Sequence, residues 1–462
     1  MRLSFLRTAC QARSGTGSPT DDPKITRVST DSRQVQPGEL FAALTGPNFD
    51  GHDFIAAAID RGCAAILAAR EPTSPVTVPM LIVEDVLQAL STAGHAWRHH
   101  VTPGAVIGIT GSSGKTTVKE MVAACLRQEL TEVHATQGNL NNHIGVPLTL
   151  LSMPATCQAA VIEMGMSAPG EIAHLTRLAE PTIGVVTNVQ PAHMAAFASL
   201  EEIALAKGEL FANLPPLSIC LLPEDDPNRT TLAWCMGMRP GLSYGLTPGA
   251  QLRWEPDAVA ASQGVVQGEI LWPDGQRARV DLGTTGVHMV RNALAAAGAA
   301  RAAGISPAAI GQALSAFAPV SGRGRIQHSP SGWRIIDDTY NANPGSMAAA
   351  LDTLGSLPAT RRMAILGDML ELGIHSERLH AQLATDIDNN RIDVVISVGS
   401  AMQALHHALA NRPALLAVHI LNPAEVWPTL STLLHPDDLI LVKGSRGMRM
   451  ERIVKDLMNH AV

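Results

Sequence analysis

At 462 residues the chain is too long for one ordinary hydrophobic core, and its length argues for about three domains. An apolar fraction of 46% excludes wholesale disorder, and a net charge of −7, from 34 Lys and Arg against 41 Asp and Glu, excludes a protein built to coat nucleic acid, so an anionic ligand must be met by a local site. The six cysteines (Cys10, Cys63, Cys125, Cys157, Cys220 and Cys235) form no C-x-x-C pair, which argues against a zinc cage or a disulfide framework and suits a reducing compartment.

Arg2, Arg7 and Arg13 interrupt any apolar core of a signal peptide, and no apolar run reaches the roughly 18 residues needed to span a bilayer. The expectation is a cytoplasmic protein with a frayed start and no stable membrane insertion. From Ile25 to Val101, strand-like pieces at 40–44, 64–67 and 80–83 alternate with a helical stretch at 54–61, predicting a small α/β domain over residues 1–101. Its loops carry Ser29-Thr30-Asp31-Ser32-Arg33 and Pro37 to Gly46. These side chains suit a diphosphate or a base, and equally serve as turn and capping residues.

The stretch Ala105 to Leu126, AVIGITGSSGKTTVKEMVAACL, is the most informative in the chain. A buried strand is followed by Gly111-Ser112-Ser113-Gly114-Lys115-Thr116-Thr117, then by apolar residues at helical spacing. This is a phosphate loop: glycine backbone approaches the anion, helix N–H groups converge on it, Lys115 adds charge, and Thr116 or Thr117 offers a hydroxyl to magnesium. The generic pattern G-x-x-x-x-G-K-[ST] would put its first glycine at Ile109, whereas the glycines stand at Gly108 and Gly111.

A central domain over 102–320 follows. Strands at 159–162 and 183–186 run into Glu163 and toward His193, where ligands of an open parallel sheet gather, so both are candidate metal ligands. The amides around Asn142 can bind a polar ligand or close turns. Lys207, on a helix at 199–214, reads on its own as a solvated charge. Residues 240–285 alternate apolar and polar, predicting antiparallel strands, and a helix beginning near Gly286 carries Asn292. Over 321–462, strands at 333–336, 363–366, 394–398 and 439–442 predict a doubly wound Rossmann-like domain, hinged at Ser321-Gly322-Arg323-Gly324-Arg325. Polar residues follow its strands, including Asp337-Asp338-Thr339-Tyr340-Asn341-Ala342-Asn343-Pro344.

Together these segments resemble the Mur ligase family over 28–454. The resemblance rests on T-G-x-x-G-K-T at Thr110 to Thr116, TxGNxNNxIGxPLTL at Thr136 to Leu150, DDTYNANP at Asp337 to Pro344 and LGDMLELG at Leu366 to Gly373. DDTYNANP is similar to the branch that adds D-alanyl-D-alanine. The resemblance implies an ATP-dependent amide ligase acting on a UDP-N-acetylmuramoyl-tripeptide in cell-wall synthesis; a monomer is expected. It implies ATP phosphates held by Gly111 to Thr117, with Lys115 catalytic, and two Mg2+ ions on Thr116, Glu163, His193 and a carbamylated Lys207. It implies ATP contacts from Asn292, Arg323 (or its neighbour Arg325), Asp338 and Asn341, and UDP-substrate contacts from Ser32, Arg33 and Asn142. His193 is a weak candidate for the base, since a metal-bound imidazole has no lone pair left for a proton. The chain departs from family usage at Leu221 to Asp226, LLPEDD, where an asparagine-bearing string is usual.

Overall fold

Short apolar strands alternating with helices build parallel sheets with helices on their faces, as the computed structural model shows for residues 1–15, 20–73, 76–192, 194–257, 266–283 and 286–460. In chain order the first elements are α1 (Leu3–Ala9), β1 (Arg13–Ser14), β2 (Val28–Ser29), β3 (Leu40–Ala42), β4 (Thr45–Gly46), β5 (Phe49–Asp50), α2 (Ile55–Asp60), β6 (Ala65–Ala68), β7 (Met80–Ile82) and α3 (Val86–Val101). Then come β8 (Ala105–Thr110), α4 (Lys115–Leu126), β9 (Val133–Ala135), α5 (Gly145–Leu151), β10 (Ala159–Glu163), α6 (Glu171–Ala179), β11 (Ile183–Val186), α7 (Leu200–Asn213), β12 (Ile219–Pro223), α8 (Arg229–Met236), β13 (Gly241–Gly245), β14 (Leu252–Pro256), β15 (Gln267–Leu271), β16 (Arg277–Asp281), α9 (Val287–Ala302) and α10 (Pro307–Ser315).

One compact unit comprises Met1–Thr110, Glu129–Gly184 and Glu209–Ser218. Its N-terminal sheet has the order β1-β7-β6-β3-β2. The frayed start expected from the sequence is corrected: α1 buries Leu3 and Leu6, and β1 pairs antiparallel with β7. A helix this short, seven residues with Arg7 in its last turn, leaves little periodicity to read. α3 is capped by Asp85, whose carboxylate accepts from the Leu87 and Gln88 amides. A Cβ on Gly94 would stand 3.2 Å from the Pro147 backbone, so glycine lets α3 lie close against α5. β8 and β10 are buried along their whole length and pair in parallel, with Glu163 opposite Ile109. Continuous burial on both faces is why each reads as an unbroken apolar run.

The other unit comprises Gly111–Gln128, Val185–Gly208 and Ile219–Val462. Here the expectation of antiparallel strands over 240–285 holds for β14, β15 and β16 but not for β13, which runs parallel to both β12 and β14. The crossover through α8 returns the chain in the same direction, which alternation alone does not reveal. The chain continues as β17 (Arg325–His328), β18 (Arg334–Asp338), α11 (Pro344–Ser356), β19 (Arg362–Gly367), α12 (Ser376–Asn389), β20 (Val394–Val398), α13 (Gln403–Leu409), β21 (Leu416–Ile420), α14 (Val426–Leu433), β22 (Leu439–Lys443) and α15 (Glu451–Asn459). Its sheet has the order β17-β18-β22-β19-β20-β21, parallel except for β17 and with an apolar core on each face. Among the described residues, no helix is long and apolar enough to cross a membrane.

Candidate active site

The phosphate loop lies between β8 and α4. A Cβ on Gly111 would come within 1.8 Å of the Thr187 hydroxyl, and one on Gly114 (φ +80°) within 2.5 Å of the Asn292 side-chain oxygen, so both positions require glycine. The loop is gripped by the segment after β11. Ser112 N–H donates to the Asn188 carbonyl at 3.0 Å, Ser113 N–H to Asn188 Oδ1 at 3.0 Å, and Thr187 Oγ1 to the Ser113 carbonyl at 2.6 Å. Ser113 Oγ donates to Gln190 Oε1 at 2.7 Å. The amides of Ser112 and Ser113 are therefore turned to Asn188. The donors facing an anion are the first-turn N–H groups of α4, whose N-cap Gly114 brings no side-chain cap. Lys115 Nζ donates to the Gly111 carbonyl at 2.7 Å, and Thr116 and Thr117 are buried.

Glu163 ends β10 and is 2% exposed. Asn141 Nδ2 donates to its Oε1 at 2.8 Å and its own N–H donates to Thr136 Oγ1 at 3.0 Å, so the T-x-G-N-x-N string aims this carboxylate. A buried carboxylate and a threonine hydroxyl are hard oxygen donors of the kind magnesium takes. His193 lies outside the described residues. Lys207 is buried; burial, reinforced by the Lys115 ammonium, holds its amine well below the usual lysine pKa. An amine whose ammonium form is disfavoured by burial and by a neighbouring cation suits addition of CO2, which would turn the side chain into an anion. The solvated charge expected of a helix lysine is thus not what the fold provides.

The strand edge of the C-terminal sheet belongs to the same unit as the loop. Asp338 accepts from Lys443 Nζ at 2.6 Å, and that ammonium also donates to the Asn341 carbonyl at 2.9 Å. The Arg323 guanidinium lies 4.0 Å from the centre of the Tyr340 ring, with Arg446 on the same ring at 5.8 Å, whereas Arg325 opens β17 opposite Asp337. Asn343 Nδ2 donates to Ser113 Oγ at 3.2 Å. DDTYNANP and the phosphate loop thereby meet.

In the N-terminal sheet unit, Ser32 is buried, while Arg33 is exposed and pairs bidentately with Asp31 at 2.9 Å. Asn142 Oδ1 accepts from the Ile144 and Gly145 amides at 3.1 and 2.9 Å, closing the turn that starts α5.

Three family patterns cover this arrangement: the Mur ligase family catalytic domain over residues 24–98, the Mur ligase middle domain over 109–300 and the Mur ligase glutamate ligase domain over 322–446. The UDP-N-acetylmuramoyl-tripeptide--D-alanyl-D-alanine ligase of Bacillus subtilis is 37% identical over 93% of each chain. The chain belongs to the Mur ligase family. The crystal structure of MurF from Acinetobacter baumannii superposes on this Mur ligase with a TM-score of 0.88 at 31% identity, covering 99% of this chain and 98% of that one. MurF ligase from Thermotoga maritima in complex with ADP gives 0.79 at 28% identity, covering 94% and 97%.

Several residues of the candidate site were read only as parts of longer polar strings, with no role of their own: Asn141, Thr187, Asn188, Gln190, Lys443 and Arg446. The departure LLPEDD also acquires a structural account. Asp226 Oδ2 accepts from Val189 N–H at 2.7 Å, bracing the segment that grips the phosphate loop, and Asp225 accepts from Leu246 and Thr247 amides while pairing with Arg291.

Proposed function

We propose that this Mur ligase joins D-alanyl-D-alanine to a UDP-N-acetylmuramoyl-tripeptide at the expense of ATP, in the cytoplasm and as a monomer, with domains at 1–101, 102–320 and 321–462. The observation that carries the reading is the hydrogen bond from Asn343, in the D-alanyl-D-alanine-type string DDTYNANP, to Ser113 of the phosphate loop. This contact between the two loop segments supports a reading in which both serve one nucleotide, as two-sided acyl activation needs. The name of the Bacillus subtilis relative supports the acceptor and the dipeptide, and the ADP complex of the Thermotoga maritima protein supports the nucleotide.

The carboxylate of the tripeptide attacks the γ-phosphorus of ATP; a C–O–P bond forms and ADP leaves. The dipeptide amine then attacks that acyl carbon, the C–O bond to phosphate breaks, and one proton is lost from nitrogen. The first-turn amides of α4 and Lys115 orient the phosphates. Asn292, Arg323, Asp338 and Asn341 hold the rest of the nucleotide, while Ser32, Arg33 and Asn142 hold the UDP-linked substrate. Thr116, Glu163, His193 and carbamylated Lys207 would hold two magnesium ions, which supply charge neutralisation at the transferring phosphoryl group.

Phosphate release measured over a panel of UDP-muramyl peptides and amine acceptors tests the reading. Turnover should require both the UDP-tripeptide and D-alanyl-D-alanine, one phosphate per amide formed. Release without an acceptor would make the protein a nucleotide switch, and preference for a single amino acid would place it in a sister branch.

A further inference from the structure

We propose that His95, His99 and Glu180 form a binding site for one divalent transition-metal ion, zinc by preference, that the ligase reaction does not use. His95 and His99 stand four residues apart on α3, so their rings share one helical face, with centroids 4.6 Å apart. Glu180 follows α6 and brings a carboxylate to them: His99 Nε2 is 3.3 Å from Oε2, and His95 Nε2 is 3.9 Å from Oε1. One ligand atom from each residue lies within 4.8 Å of the others. Zinc bonds of about 2.0 to 2.1 Å give tetrahedral ligand-to-ligand edges of about 3.3 Å. The His99–Glu180 pair already has that edge, and rotation of partly exposed side chains closes the rest.

Two features of the surroundings prepare these groups as ligands. His95 Nδ1 lies 3.1 Å from the Leu178 carbonyl oxygen. A carbonyl only accepts, so Nδ1 carries the hydrogen and the Nε2 lone pair is turned toward Glu180, the orientation in which zinc-bound imidazoles are held. In the neutral imidazole that lone pair faces the carboxylate oxygen, a contact made favourable by a proton on Nε2 or by a metal cation bound between the two groups. Glu180 itself has φ +42°, a left-handed backbone that glycine fills with less strain. The buried Arg98 guanidinium fixes it there by donating to the Ala179 carbonyl at 3.0 Å and the Glu180 carbonyl at 3.3 Å. The chain thus places a ligand-bearing residue where a helix end favours glycine. Two imidazoles and one carboxylate on a solvent-facing site leave a fourth position for water and select zinc over magnesium.

The test uses the full chain, stripped with chelator and returned to buffer with saturating Mg2+ and ADP so that the nucleotide site is filled. Co2+ alone is the spectroscopic probe and Zn2+ alone the thermal one. One equivalent of Co2+ should bind at micromolar concentration with the visible band of a tetrahedral ion, and Zn2+ should raise Tm by several degrees. The H95A/H99A variant should bind at least tenfold more weakly. E180G, which relaxes the backbone, should fold at least as stably without metal yet lose the zinc-dependent rise in Tm, while all these variants keep ligase activity. Absence of the Co2+ band, millimolar affinity, or undiminished binding in H95A/H99A or E180G would overturn the assignment.

Discussion

Lys207 shows how much a residue's neighbourhood decides. Read along its helix, in Ala204-Leu205-Ala206-Lys207-Gly208-Glu209, it is a lone lysine of the kind that is usually solvated; in the fold it is 2% exposed, and burial together with Lys115 disfavours its ammonium form. Its folded pKa lies below the unfolded value, so the unfolded chain binds the proton that the folded chain gives up. The destabilisation is complete below the folded pKa and is relieved as pH rises toward the ordinary lysine value. In CO2-free buffer, Lys207→Met should therefore stabilise the protein by roughly 1 to 4 kcal/mol, more at pH 6 than at pH 9, as read from urea midpoints. The same variant should lose at least a hundredfold in kcat, and the turnover lost in Lys207→Ala should be partly restored by short-chain carboxylic acids but not by bicarbonate. A Lys207→Ala enzyme with near-normal kcat would remove the carbamate from the mechanism. Thr187, Asn188, Gln190 and Asp226 were illegible for a related reason. Thr187, Asn188 and Gln190 hold the phosphate loop, and Asp226 holds Val189 behind it, each across a long stretch of chain, and nothing in local spacing marks a side chain that braces another segment.

Elements with a single strong period were legible, and those defined by their partners were not. β8, β10, β11, β20 and β22 read as apolar runs because both faces are covered, whereas the edge strands β17 and β21 are too exposed to stand out. The direction of β13 depends on the crossover before it, and α1 on a partner sheet. α11 combines both kinds of information. Asn343 Oδ1 accepts from Ser346 N–H at 2.8 Å, Ser346 Oγ reciprocates as a capping box, and Pro344 takes the first turn, all readable in sequence. The bond from Asn343 Nδ2 to Ser113 is not readable. Two substitutions separate these roles. Asn343→Ser keeps a good cap but loses the amide donor, so Tm should stay near that of the wild type while KM for ATP rises several-fold. Asn343→Ala should raise KM similarly and also cost about 1 kcal/mol of stability. Equal KM values in all three proteins would show that the contact with the phosphate loop contributes nothing to nucleotide binding.

If turnover closes the C-terminal sheet on the nucleotide, the hydrogen bonds around the glycine turn bear on where the chain would bend. The glycine-flanked turn expected to be the hinge is tied to β18. Gly322 N–H donates to Asp337 Oδ2 at 3.1 Å, Gly324 N–H to the Asp337 carbonyl at 2.8 Å, and Tyr340 N–H to the Gly322 carbonyl at 3.0 Å. Bonded in this way, the turn is expected to move with the C-terminal sheet. Phe317 to Val320, between α10 and the turn and without regular structure, is the stretch left to pivot, and Pro319 restricts its backbone. Pro319→Gly should add about 1 kcal/mol of conformational freedom to the open state, lowering kcat up to about fivefold with little change in Tm. Gly322→Ala, at φ +77°, should cost about 1 to 2 kcal/mol of stability through backbone strain while leaving the pivot intact. Hydrogen exchange in the presence of a nonhydrolysable ATP analogue and the UDP-tripeptide supplies the independent readout. Amides at 111–117 and 340–346 should gain protection together, with the change at 317–320 altered by Pro319→Gly and not by Gly322→Ala. The reverse pattern would return the pivot to the glycine turn.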